Sequence, residues 1–214
     1  METLAVNGFS GSWRHSTGNT NCLGATMPEL GYHAARPDEL DLIHRELMAV
    51  IDESPHYNEL FKAHEKGRLT KGYLRALQRV DPFHVIILTV DGVAGGGLIS
   101  GPECGSIFRY WSWIFPSHRQ TRLGLHGMRI FDEHWDKGKF HKAFTWVRPE
   151  NEVALALLRR YGYEQSALLR QQIFGQDYVV MEKFYTKVTE DYDSGMSMGR
   201  IARFKARVDM LLGR

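Results

Sequence analysis

Cysteine is nearly absent from the 214 residues: Cys22 and Cys104 stand apart, with neither CxxC spacing nor a neighbouring His/Cys cluster. A disulfide framework and a thiolate zinc site are thereby excluded, and a reducing, cytoplasmic setting is expected. An excess of one charge is missing too. With 27 Lys and Arg against 25 Asp and Glu, net +2, the chain has no bulk electrostatic reason to coat nucleic acid or an anionic membrane. No stretch approaches the roughly 20 apolar residues of a membrane span, and the opening METLAVNGFSGSWRHS has neither the basic nor the apolar region of a secretory signal. What is present is a 43% hydrophobic chain, long enough to bury a core without a covalent or metal staple.

Three regions differ in texture. Residues 1–28 contain a Gly/Ser/Thr/Asn-rich run without apolar periodicity and read as a flexible arm. Residues 29–186 carry the periodic segments of one domain. In the tail, 187–214, Ile201, Phe204, Val208 and Leu211 share one side of a helix that also carries Arg200, Arg203, Lys205 and Arg207. Such a basic amphipathic helix packs on its own domain or on a second copy, which makes a homo-oligomer conceivable.

Within the domain, Pro37 and Asp38 open a helix whose apolar face is Leu40, Ile43, Leu47 and Val50. A second helical region spans about 56–79, with a break expected at Gly67. The β-branched run His84–Val90, the Asp91-Gly92 pair and VAGGGLIS predict a hairpin, followed by a turn over Gly101–Gly105 and an aromatic strand, Ser106–Phe115. A helix over Leu123–Trp135, a strand over Lys142–Val147, a helix over Pro149–Tyr161 closed by Gly162, and strands around Tyr163–Leu169 and Tyr178–Phe184 complete the pattern. The expected class is α/β (α+β): a mixed, mostly antiparallel sheet of six to seven strands flanked by helices. In this pattern Phe108, Tyr110, Trp111, Trp113 and Phe115 read as sheet core. Gly95, Gly96 and Gly97 inside a strand point to a bulge or a close backbone approach.

Chemistry concentrates at Ile114–Gly124, where a strand passes through a tight loop onto a helix N-terminus. The first N–H groups of a helix have no intrahelical acceptor and sit at the positive end of its dipole, so this junction suits an anion, with Arg119 and Arg122 adding charge. It is neither a Walker loop nor a GxGxxG fingerprint. His118, His126 and His134 lack metal-ligand spacing, so no metal is expected.

Ile114, Pro116, His118, Arg119 and Gly124 resemble the pyrophosphate loop of the GNAT superfamily of acyl-CoA-dependent N-acetyltransferases. Asn151, Ala154 and the Tyr161-Gly162-Tyr163 run resemble its second signature, and the order of elements from Gly31 to Tyr185 agrees. The resemblance implies a GNAT-like fold whose central strands splay to admit acetyl-CoA as co-substrate. Ile114, Arg119, Gln120, Thr121, Arg122, Leu123 and Gly124 would hold the cofactor, and Asn151 would face its arm. An amine of a small molecule or a protein would attack the thioester directly, from between the helical region and the central strands. Two positions depart from the family: Arg122 replaces a loop glycine, and Leu158 stands where many members place a tyrosine that protonates the leaving thiolate. Tyr161, three residues on and about 60° round the helix, is the candidate acid; its other reading is an aromatic anchor for the helix. These departures favour an alternative, a binding or assembly protein that kept the architecture without turnover. Degenerate members with arms outside the domain are similar to some encoded by bacteriophages.

Overall fold

The computed structural model describes residues 28–119 and 121–187; the arm, most of the tail with its basic helix, and Gln120 lie outside the described residues. The chain runs β1 (Leu30–Ala34), α1 (Leu40–Glu53), α2 (Glu59–Arg68), α3 (Lys71–Val80), β2 (Val85–Val90), β3 (Val93–Glu103), β4 (Ser106–Ile114), α4 (Leu123–Trp135), β5 (Lys142–Val147), α5 (Glu152–Arg160), β6 (Glu164–Ile173) and β7 (Gln176–Phe184). The seven strands form one sheet in the order β1-β2-β3-β4-β5-β7-β6, and every neighbouring pair is antiparallel except β4 and β5. This is the mixed, mostly antiparallel, helix-flanked sheet expected.

Helices cover both faces, so β2, an interior strand, is buried along its whole length, as its unbroken VIILTV run requires. Leu123, Met128, Phe131 and Trp135 of α4 and Leu155 and Leu158 of α5 pack on one face with Ile86, Leu88 and Leu98. Leu40, Ile43, Leu47, Leu74 and Leu77 of α1 and α3 pack on the other with Ile87, Ile99 and Trp113. Three hairpin turns place two residues at positive φ: Asp91 and Gly92 (51° and 77°), Cys104 and Gly105 (48° and 80°), Phe174 and Gly175 (48° and 76°). That backbone matches the right-handed twist of the flanking strands.

Several expected boundaries move. The helical break lies at Leu69–Thr70, not at Gly67, because Thr70 caps α3 by accepting from the Tyr73 N–H at 3.2 Å while Gly67 stays inside α2. Strand β3 continues to Glu103, so the turn shrinks to Cys104-Gly105. Helix α5 starts at Glu152 because Asn151 caps it.

Both readings of the glycine run hold. Register pairs Leu88 with Gly96 and Thr89 with Ala94, which leaves Gly95 as a bulge. A Cβ on Gly96 would meet the Trp113 carbonyl oxygen at 2.4 Å, and one on Gly97 would strike the Trp113 ring at 2.4 Å. The run therefore lets β4 lie close against β3. Beside it, Asp81 ties the end of α3 to α4: its carboxylate accepts from the Phe83 N–H at 3.0 Å and pairs with Lys139 at 3.2 Å and His134 at 3.7 Å. Burial pushes this carboxyl up, but those three partners outweigh it and hold it well below the usual carboxylate range.

Gly96→Ala is expected to destabilise the protein by about 1–3 kcal/mol, whereas Gly67→Ala, with nothing near its Cβ, should stabilise it by about 0.5–1 kcal/mol; urea unfolding separates the two. Asp81→Asn should cost about 1 kcal/mol at neutral pH. Because the folded carboxyl titrates below its unfolded value, the gap between wild type and variant should shrink as pH falls below about 4, where the unfolded group protonates.

Candidate active site

Strands β4 and β5 pair over three positions only, Ser106–Phe108 with Lys142–Phe144. The cause lies on the other edge of β4. Ser100 pairs with Arg109 and Ile99 with Trp111, so Tyr110 is an extra residue, and a bulge there bends and twists β4 away from β5. Past the bulge, the Phe115 N–H donates to the Gly95 carbonyl at 2.8 Å. By alternation the backbone groups of Ser112 and Ile114 face the opened gap, where no strand pairs with them. The splay implied by the resemblance is present, and Ile114 stands at its mouth.

From Ile114 the chain makes a single 3-10 turn, Pro116–His118, and enters α4. The hydroxyl of Thr121 donates to the His118 carbonyl at 2.6 Å and accepts from the Leu123 N–H at 3.3 Å. The first intrahelical bond runs from the His126 N–H to the Arg122 carbonyl at 2.9 Å. Leu123 therefore has its N–H occupied by Thr121 and its side chain buried in the core, while the N–H groups of Gly124 and Leu125 have no acceptor among the described residues. A Cβ on Gly124 would meet only Ile114, at 3.8 Å, so the space above the helix end is open. Arg119 and Arg122 are exposed beside it and pair with no carboxylate among the described residues. The junction is thus a cationic, partly uncapped helix terminus at the mouth of the gap.

The other expected groups are engaged in the fold. The Asn151 side chain accepts from the Ala154 N–H at 3.1 Å, capping α5. Tyr161 donates its hydroxyl to the Leu125 carbonyl at 2.7 Å, anchoring the end of α5 to α4. A proton-donating role for Tyr161 requires the hydroxyl to leave that bond. Between the splayed strands on the α4/α5 face lies a narrow cleft of about 80 Å³, walled by Ser112, Met128, Thr145, Leu157 and Leu158. Arg109 is the one charged residue lining it. The guanidinium is 6% exposed, contacts the Met128 sulfur and the Phe131 ring, and has no carboxylate partner among the described residues. Burial depresses its pKa. Sequence reasoning missed Arg109, because nothing in the run SIFRYWSWIF marks one position as facing a cleft.

On the opposite face the gap opens into a cavity of about 490 Å³ between α2, β4, β5 and the β6–β7 hairpin. Phe108, Tyr110 and Trp111 line it; Trp111 (9% exposed) and Trp113 (5% exposed) both belong to the packed core as expected, with Tyr110 and Phe115 packed against it. Glu65 sits at its wall, 5% exposed, and accepts from Trp111 Nε1 at 2.7 Å and from Arg68 at 2.8 and 2.9 Å. Burial pushes the Tyr57 hydroxyl up to about 12 and raises that of Tyr110 as well, so both are neutral walls. The cavity is closed by staples of long sequence separation: the Asn58 N–H donates to Gln176 at 3.1 Å, Asn58 Nδ2 to the Phe174 carbonyl at 3.0 Å, and buried Arg148 Nε to the His56 carbonyl at 3.0 Å. Tyr110 and Trp111 border both the cleft and the cavity. Among the described residues no group of three or more His, Cys, Asp or Glu side chains is arranged to hold a metal ion, and no helix is long and apolar enough to cross a membrane.

No protein-family model matches this chain, and no curated protein does. Solved structures do share its fold. Ard1 from Thermoplasma volcanium aligns with a TM-score of 0.58 at 16% identity, over 74% of this chain and 99% of that one. YncA from Salmonella typhimurium, solved with its cofactor acetyl-CoA, aligns at 0.59 and 13% identity, over 72% and 93%. RimL, a ribosomal L7/L12 alpha-N-protein acetyltransferase solved with coenzyme A, aligns at 0.58 and 12% identity, over 75% and 96%. The chain has the fold of the GNAT acetyltransferases.

Proposed function

We propose that the protein is an acetyl-CoA-dependent N-acetyltransferase acting on a primary amine of a small molecule or a protein. One observation carries the reading: a cleft on one face of the sheet and a cavity on the other both border Tyr110 and Trp111, where β4 and β5 part. A linear thioester entering from the α4 side can therefore be met by a nucleophile from the α2 side. The open N–H groups of Gly124 and Leu125, with Arg119 and Arg122, suit the cofactor's diphosphate. The unpaired backbone of Ser112 and Ile114 suits the amides of its arm.

In the reaction the free amine attacks the carbonyl carbon, the C–N bond forms, the C–S bond breaks and sulfur leaves as thiolate. The proton shed by the new amide nitrogen ends on that sulfur. With leucine at 158, Arg109 is our candidate to stabilise the thiolate: a buried cation that forms no direct ion pair among the described residues gains most from a charge that appears beside it. The engaged hydroxyl of Tyr161 fits the role of anchor. Binding without turnover, in an assembly role, is the second reading, and Leu158 is the residue that favours it.

Calorimetry with acetyl-CoA tests the first step: wild type should bind, and the Arg119→Ala, Arg122→Ala double variant should bind at least about tenfold more weakly. No heat with wild type ends the proposal. Gly124→Asp should abolish binding while leaving the melting temperature unchanged or slightly raised, since an acidic side chain favours a helix N-terminus but repels a diphosphate. Tyr161→Phe should lose about 0.5–1.5 kcal/mol of stability with an unaltered pH profile of CoA release in the presence of an acceptor amine; a lost alkaline limb would make Tyr161 the acid.

A further inference from the structure

The acceptor cavity has a composition that selects among amines. Nine of its fourteen lining residues are aromatic, and the rings are packed on one another in a stiff wall: Tyr57 stacks on Phe61 at 4.3 Å and 20°, and Phe108 on Phe144 at 4.7 Å and 28°. Carboxylates are few. Glu65 is already held by Arg68 and the Trp111 N–H, and Glu103, exposed at the rim, is the other acid lining the space. Arg68 lies over the Tyr110 ring at 4.6 Å, and with Glu65 it forms a neutral pair that leaves no carboxylate there for a second cation. A polyamine carries several ammonium groups and needs several free carboxylates, which this wall does not offer. A lysine side chain or other slim alkyl amine would leave most of the aromatic surface wet.

We propose, building on the acyltransfer reading above, that this cavity takes a monoamine carried on an aromatic body, an arylalkylamine or a chain terminus with an aromatic first residue. Its ring lies against the Tyr57, Phe61 and Trp146 walls, and its nitrogen reaches the gap between β4 and β5 at Tyr110 and Trp111. One charge on the incoming ammonium is matched by Glu103, which forms no ion pair among the described residues, and the ammonium releases its proton to bulk water before the neutral nitrogen attacks. The cavity size, about 490 Å³, suits a ligand of this bulk and lies within the range of small-molecule sites.

The test is direct binding of 2-phenylethylamine, spermidine and N-acetyl-lysine amide to the full chain, by calorimetry without acetyl-CoA, alongside acetylation rates for the three with it. Phenylethylamine should bind at least about tenfold more tightly than either competitor and show the highest kcat/KM. Trp146→Leu, and independently Ile173→Trp, which fills the cavity from the hairpin side, should each remove that preference without changing the affinity for acetyl-CoA. Equal or reversed binding of the three amines overturns the proposal, and so does an intact preference in a folded Ile173→Trp variant. Absence of acetyl-CoA binding would instead sink the acyltransfer reading alone, since the amine preference is measured without it.

Discussion

One backbone irregularity governs this molecule. Tyr110 is a residue too many in β4, and the strand absorbs it by bending off β5 after three paired positions. A regular parallel pair would have zipped the sheet shut and left two helix-covered faces with no passage between them. The bulge also turns two consecutive aromatic side chains, Tyr110 and Trp111, toward the same cavity, which alternation in an undisturbed strand forbids. Splay and cavity wall thus share a single cause.

That defect survives because the surrounding strands are tightly held. The glycine run of β3 brings β4 so close that a methyl group at Gly96 or Gly97 has no room. Gly95 performs the same service for the loop, since a Cβ there would meet Leu123 at 2.8 Å and His118 at 3.1 Å. The entry to α4 is consequently seated on β3, and the open N–H groups of its first turn face the place where the sheet parts. On the far side, hydrogen bonds from the α1–α2 connection to the β6–β7 hairpin close the cavity with residues more than a hundred positions apart in sequence.

Much of the architecture was legible in advance because it rests on local signals. Helix α4 and strand β5 fall on the residues that periodicity indicates, and Asp91-Gly92 turns as such a pair does. The displaced break between α2 and α3 has an equally local cause, a threonine cap stronger than a glycine that a helix can tolerate. The candidate site was legible only where it follows from a junction of elements. The helix end could be anticipated as a junction, yet Leu123 donates its N–H to Thr121, the Asn151 side chain accepts from the Ala154 N–H, and Tyr161 donates its hydroxyl to the Leu125 carbonyl. Those are decisions between neighbours in space.

By itself, then, the order of residues determined the elements, their turns and the class of sheet, since periodicity, caps and two-residue hairpins act over a few positions. Tertiary structure alone decided that Arg109 is buried with no direct ion pair among the described residues, that the aromatic run divides between core and cavity, and that Glu65 meets Trp111 across 46 positions. The reason is that a bulge changes which face each later side chain occupies, and the register with the neighbouring strands, which no single segment encodes, decides where the bulge falls.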